Sequence, residues 1–270
     1  MFTTAEDYAN HICQAVNSMA ETVEPYCHLN EDSSYQDTRS AIINNVANSM
    51  SDRCKANHAA IRIVNSEWDK TLNELNCHLH PLDSIASATR SALKHLEEAR
   101  GHLYGKDCVA ANIILQMSKL RYKDGKGDPQ GFTTFMDING LPQNILPRYR
   151  GNRLHVLFHN AGILIQHHNL FTELLTTATS LDRLRSSLSK DFGSDVARVE
   201  LQVLGLLGKH LTGPWMKRFY TSVNNELNYV DDIKMVENVL ISLKEMLTDP
   251  TAILTTAINQ SCRERFYLRV

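Results

Sequence analysis

Residues 51–82 read SDRCKANHAAIRIVNSEWDKTLNELNCHLHPL. Ile61, Val64, Trp68, Leu72 and Leu75 recur there at spacings of three and four, the one-sided apolar stripe of a helix. Asp52-Arg53 stands just before the Asn/Ala-containing run that opens this helix. The residues immediately before Cys77 are the best strand candidate in the chain, and Cys77-x-x-His80 follows them. Pro81-Leu82-Asp83-Ser84 then supplies a turn and an N-cap. The stretch predicts one short strand in a helical setting.

The helical period continues on both sides. Upstream, Tyr8, Ile12, Val16 and Met19 form a stripe, a polar break follows at 30–34, and Ile42, Ile43, Val46 and Met50 predict a second helix. Downstream, Ile85, Thr89, Ala92, Leu93 and Leu96 predict a helix ending near Gly101. Val109, Ile113, Ile114, Met117 and Leu120 predict another. It runs into RYKDGKGDPQG at 121–131, whose charges, glycines and proline read as a solvated loop. Pro142 and Pro147 mark a second loop, after which Leu154, Leu157, Phe158, Ala161 and Ile165 resume the helical spacing. From Asp195 to Leu211 the chain is apolar almost all round, as for a central buried helix; Gly205 and Gly208 would let a neighbour approach closely. Thr212-Gly213-Pro214 should stop that helix. Asp231 and Asp232 are placed to cap a last one, carrying Met235, Val236, Val239, Leu240 and Leu243 and closed before Pro250.

Composition narrows the classes. The chain has 270 residues, 43% hydrophobic and 21% charged, ordinary for a globular protein with a sizeable core. A net charge of −2 gives no global field to hold a polyanion, so nucleic-acid binding would have to be local. Six cysteines at irregular spacings, with no basic, apolar-cored leader, are expected to be free thiols in a reducing, intracellular compartment. No run approaches the roughly 18 apolar residues that crossing a bilayer takes. Membrane partners are therefore not expected.

The order Asp52, an Asn/Ala-containing helix, then Cys77-x-x-His80 resembles the middle of the RNase-H-like core of hAT-type (hobo–Activator) transposases. The segment RYRGNRLHVLF at 148–158 resembles the Arg-aromatic segment of their helical insertion domain, with Tyr149 where the family carries Trp. The resemblance implies a mainly α chain with at most a short remnant of an RNase-H-like α/β core. It implies a partial, mostly helical core over 1–80 and a helical insertion-type domain over 81–270. Asp52 takes the place of one catalytic carboxylate. Strand cleavage in that family needs three carboxylates on two Mg²⁺ ions, and no strand bearing a first Asp nor a final Glu is identifiable here. Read from its residues alone, Asp52 caps the helix that follows. The implied function is that of a transposon-derived, non-catalytic protein with residual nucleic-acid binding or self-association, nuclear in location. The alternatives are a helical protein–protein module unrelated to DNA and a truncated metal-dependent transposase or nuclease.

Two other constellations bear on chemistry. Cys54, His58, Cys77 and His80 offer a Cys-x3-His and a Cys-x2-His, but the apolar tract between the pairs differs from a zinc finger, so no zinc is expected. His155 with His159, and His167 with His168, lack acidic or Cys companions and read as packing or surface residues. Basic residues gather at Lys119, Arg121, Lys123, Lys126, Arg148, Arg150 and Arg153, interleaved with Tyr149. That set is the candidate nucleic-acid surface, weak and salt-sensitive.

Overall fold

The computed structural model describes residues 4–27, 34–52, 54–77, 79–102, 104–122, 127–150, 155–176, 183–220 and 229–251. The protein is mainly helical and divides into two compact units, Met1–His80 and Pro81–Val270.

In the first unit, α1 (Ala5–Cys27) packs on α2 (Tyr35–Asn45) and α3 (Lys55–Glu67). Ala9, Val16, Ile43, Ala60, Val64, Trp68 and Leu72 form the core. α2 opens with a capping box: Ser34 Oγ accepts from Asp37 N at 3.3 Å, and Asp37 Oδ2 accepts from Ser34 N at 2.9 Å. At its other end Lys70 Nζ donates to the carbonyls of Ile43 (2.8 Å) and Asn44 (2.7 Å), a cation on the negative helix terminus.

The stripe from Ile42 to Met50 is not one helix. α2 ends at Asn45 and Asn48–Ser51 is a strand, β1. It pairs in parallel with β2 (Asn73–Asn76), the strand expected before Cys77, in the register Asn48↔Asn73 to Ser51↔Asn76. The intervening α3 makes this a β–α–β unit, and Leu72 and Leu75 lie beyond that helix.

The second unit starts with α4 (His80–Ala99), which begins ahead of the expected cap at Asp83-Ser84 because Pro81 is accepted in a first turn. It ends at Gly101, whose φ of 75° closes a Schellman motif: His102 N donates to Glu97 O and Gly101 N to Glu98 O. The central helix is α5 (Val109–Tyr122), in which Val109, Ala110, Ala111, Ile113, Ile114, Met117, Ser118 and Leu120 are all buried. It is not the 195–211 segment, where Arg198, Val199 and Gln202 face solvent. Around α5 lie α6 (Pro129–Ile138), α7 (Val156–Gln166), α8 (His168–Thr176), α9 (Arg183–Phe192) and α10 (Asp195–Leu207). α11 (Gly213–Tyr220) and α12 (Tyr229–Thr248) complete the chain.

Three expected boundaries move. The 121–131 loop is shorter than its composition suggests: Asp128 caps α6, Pro129 opens it, and Arg185 Nη2 donates to Asp128 Oδ2 at 2.6 Å. Thr212-Gly213-Pro214 does not stop the helix. A π-turn at Gly208–Thr212, in which Gly213 N donates to Gly208 O, absorbs the missing Pro214 N–H and leads into α11. α12 begins at Tyr229, before Asp231 and Asp232.

α7 and α10 meet where their glycines face. A Cβ on Gly205 would lie 3.1 Å from Gly162 Cα, and one on Gly208 would lie 3.0 Å from Phe158 O. The close approach expected of Gly205 and Gly208 is present, with Gly162 as the partner that completes it.

Candidate functional site

The parallel pair brings the first unit's chemistry to one end of its sheet. Asp52 follows β1 directly and Cys77 follows β2, so both stand at the carboxyl ends of adjacent strands, where α/β sheets present their ligands. Cys77 N donates to Ser51 O at 2.8 Å, which extends the ladder past the strands. Asp52 is not the N-cap; that position is Cys54. Instead Asp52 Oδ1 accepts from Cys54 N at 3.0 Å and from Asn57 Nδ2 at 2.6 Å, an Asx turn that fixes the entry into α3. His80 N donates to Cys77 O at 3.4 Å and starts α4.

Cys54, His58, Cys77 and His80 are not gathered as a ligand set. His58 Nδ1 contacts Glu74 Oε2 on β2. No group of three or more His, Cys, Asp or Glu side chains able to hold a metal occurs among the described residues.

The basic set in the second unit is divided. Lys119 and Arg150 are exposed. Arg121 is committed inward: its guanidinium donates to the carbonyls of Leu146 and Gln143, and it lies 4.8 Å from the Tyr122 ring centroid and 5.8 Å from that of Phe132. Burial lowers its pKa, offset in part by Tyr122. Arg148 sits 5.4 Å from the centroid of the same Tyr122 ring, so two guanidiniums share one aromatic. Tyr149 is only 4% exposed, donates its N–H to Ser118 Oγ at 3.0 Å, and belongs to the core. Burial raises its phenol pKa. It stacks on no ligand from there, which corrects its assignment to a nucleic-acid surface. Residues 148–150 lie ahead of α7 and do not open it. Lys123, Lys126 and Arg153 lie outside the described residues.

His155 and His159 are packing groups. Burial and the neighbouring His159 push His155 down to about 4, and its Nδ1 hydrogen-bonds with Thr212 Oγ1 at 2.7 Å. His159 Nε2 donates to Ile145 O at 3.0 Å, and burial lowers its pKa too.

The most unusual electrostatic feature went unread in the sequence. The N-terminus of α5 is buried, and three successive amides there meet carboxylates from three places. Cys108 N donates to Asp107 Oδ1 (2.9 Å), Val109 N to Glu97 Oε1 of α4 (2.5 Å), and Ala110 N to Glu200 Oε2 of α10 (3.0 Å). Glu97 and Glu200 are 1% and 4% exposed. Lys94 Nζ reaches Glu97 Oε2 at 3.0 Å, and Arg90 pairs with Asp107. Desolvation, with Glu97 beside it, pushes Glu200 up to about 7, and desolvation pushes the Cys108 thiol up to about 12. The arrangement satisfies helix donors that would otherwise be orphaned and neutralises the helix dipole. A signal was present: Glu97 falls four after Leu93 on an apolar stripe, and Glu200 sits between Ala197 and Leu201. Glutamates are rarely buried unless paired.

The chain matches no protein-family model, no curated protein and no solved structure. Among the described residues no helix is long and apolar enough to cross a membrane.

Proposed function

We propose that this chain is a transposon-derived, non-catalytic protein of hAT-type descent whose working property is association, with itself first and with nucleic acid weakly. The parallel β1–α3–β2 unit carries the reading. Asp52 and Cys77 follow its neighbouring strands, and that supports a reading whose resemblance rests on their order in the sequence. Asp52 serves the local turn there, accepting from the Cys54 backbone N–H and the Asn57 side-chain amide, and that use supports a structural role.

Two substitutions separate that role from catalysis. Asn keeps an Oδ1 acceptor, so Asp52→Asn should hold the Asx turn, whereas Asp52→Ala should cost about 1 kcal/mol. Neither should change Mg²⁺- or Mn²⁺-dependent nicking of a duplex, which is expected to be nil in the parent. Robust nicking lost equally in both variants would overturn the reading.

Nucleic-acid binding is counted by its salt slope. On duplex DNA the slope is about −0.9 per phosphate neutralised, so Lys119 and Arg150 alone give roughly −2. If Lys123, Lys126 and Arg153 join them, five contacts give about −4.5. Lys119→Ala with Arg150→Ala should bring the first case to a flat line. A second reading, a helical protein–protein module unrelated to DNA, is favoured by the inward commitment of Arg121 and Tyr149. Absence of binding to duplex and single strand at low salt would select it.

A further inference from the structure

We propose that the recess where α7 meets α8 binds a small organic phosphate, a monoester whose charged head is held by Arg198 and the side chains around His167.

His167 joins the two helices, and its φ of −109° and ψ of 31° turn the chain there. The turn leaves a cavity of about 380 Å³ between the end of α7, the start of α8 and Arg198 of α10, the helix packed on α7. That volume is of the size small-molecule sites have. The end of α7 contributes Gln166 and the start of α8 contributes His168 and Asn169, with His167 between them. Among the described residues no Asp or Glu lines the cavity.

These groups are uncommitted. Among the described residues the side chains of Gln166, His167, Asn169 and Arg198 meet no hydrogen-bond, ion-pair or ring partner. Arg90, Arg121 and Arg185, by contrast, are each tied to a carboxylate or a carbonyl. His168 is held by stacking on Phe192, ring centroids 4.5 Å and planes 14° apart, and its enclosed Nε2 meets no hydrogen-bond partner among the described residues. An enclosed nitrogen without a partner is rare enough to ask for an explanation beyond packing.

The chemistry of the lining selects the ligand. A guanidinium carries N–H donors only, in a fork that takes two oxygens of one anion, and imidazoles and side-chain amides add N–H donors around it. With no carboxylate beside them, an oxyanion is the matching occupant. The cavity also lies at the N-terminal end of α8, the positive end of that helix. Donors converge from α7, α8 and α10, and a phosphate monoester offers three terminal oxygens where a carboxylate offers two. Ile165 and Leu170 line the same cavity and give the organic part an apolar wall.

Phenyl phosphate is the probe, titrated into the full chain in phosphate-free buffer and followed by amide NMR shifts. A Kd on the order of 1 mM is expected, with the shifts centred on residues 166–170 and Arg198. Arg198→Gln should weaken binding by about tenfold, the loss of a charge-assisted bond. Asn169→Asp sets a carboxylate in the cavity and should weaken it at least as much, while the fold persists, because an acidic residue suits the first turn of a helix. Arg100→Gln removes an exposed cation of the same unit that does not line the cavity and should leave the Kd unchanged. An Arg100 variant that weakens binding as much as the Arg198 variant would reduce the site to general charge attraction and overturn the proposal. So would a Kd unmoved by Asn169→Asp, or no saturable shift up to concentrations on the order of 10 mM. Inorganic phosphate bound as tightly as phenyl phosphate would overturn the organic occupant, and benzoate bound as tightly would overturn the choice of phosphate. An oligonucleotide lacking terminal phosphates that displaces phenyl phosphate would give the site to nucleic acid and overturn the small-molecule reading.

Discussion

Glu200→Gln should remove most of the pH dependence of the second unit's stability. The side chain is 4% exposed, and its folded-state pKa of about 7 stands above the ordinary 4.5 because burial beside Glu97 disfavours the charge. The groups around it are Glu97 and Lys94 from α4 and Asp107 and Cys108 at the start of α5, with Arg90 of α4 on Asp107. A raised folded pKa means the native state holds the proton more tightly than the unfolded one. The stability this contributes is full below about pH 4.5 and is lost as pH rises through 7. A difference of about 2.5 pH units at 1.36 kcal/mol each amounts to about 3 kcal/mol. Gln mimics the protonated acid: its Oε1 still accepts from Ala110 N, and its amide can donate to Glu97. The variant should match the parent near pH 5 and exceed it at pH 8 by up to about 3 kcal/mol, or roughly 6–12 °C in Tm for a unit of this size. Melts from pH 5 to 8.5 followed by fluorescence of Trp215, in a Trp68→Phe background, read the second unit by itself. Parent and variant curves that stay parallel over that range would refute the account in which burial keeps the Glu200 carboxyl protonated.

Other substitutions test the packing. Gly205→Ala should destabilise by on the order of 1 kcal/mol despite the propensity gain, because the new Cβ meets Gly162 backbone at 3.1 Å; Gly208→Ala, against Phe158 O at 3.0 Å, should do the same, both read by urea unfolding. Arg121→Ala takes the guanidinium from the Gln143 carbonyl and leaves the Leu146 carbonyl the longer bond from Tyr122 Oη at 3.4 Å, which should cost about 1–3 kcal/mol, whereas Arg150→Ala should stay within about 0.5 kcal/mol. Equal effects of the two arginines would mean that Arg121 does not clamp that loop. Ser34→Ala breaks the capping box of α2 and should cost the first unit about 1 kcal/mol, visible in Trp68 emission and absent from Trp215.

Periodicity made most of the helices legible and placed the helix end near Gly101; β2 was expected from its place before Cys77, although the helical stripe ran on through its Leu75. β1 escaped because Asn48, Ser49 and Ser51 are polar, Met50 read as the end of a helical stripe, and none of the four is β-branched. Pairing with β2 holds it, and β-propensity mostly reports such context. α6 was hidden by the glycines around it, although Asp128-Pro129 is a cap followed by a first-turn proline. Which of two apolar helices is central is not written in a hydrophobic period: α5 and the 195–211 segment read alike until their neighbours are placed. The inward turn of Arg121 was hidden for a related reason. Lysines and arginines can be counted in a sequence, but the Gln143 and Leu146 carbonyls that engage Arg121 come from a loop two dozen residues away.

Within the second unit, α10 is located by two devices of different kind. Its glycines at 205 and 208 admit the backbone of α7, and its Glu200 carboxyl sits on the first turn of α5. Sliding α10 by one turn, about 5.4 Å, would bring side chains into the glycine notch and leave Ala110 N unsatisfied in the core. Either loss would cost more than a kilocalorie, and a slide incurs both, so the α5–α7–α10 assembly has one register. The same physical rule holds throughout this unit: directional or close backbone contacts fix a helix's register, while apolar area alone does not.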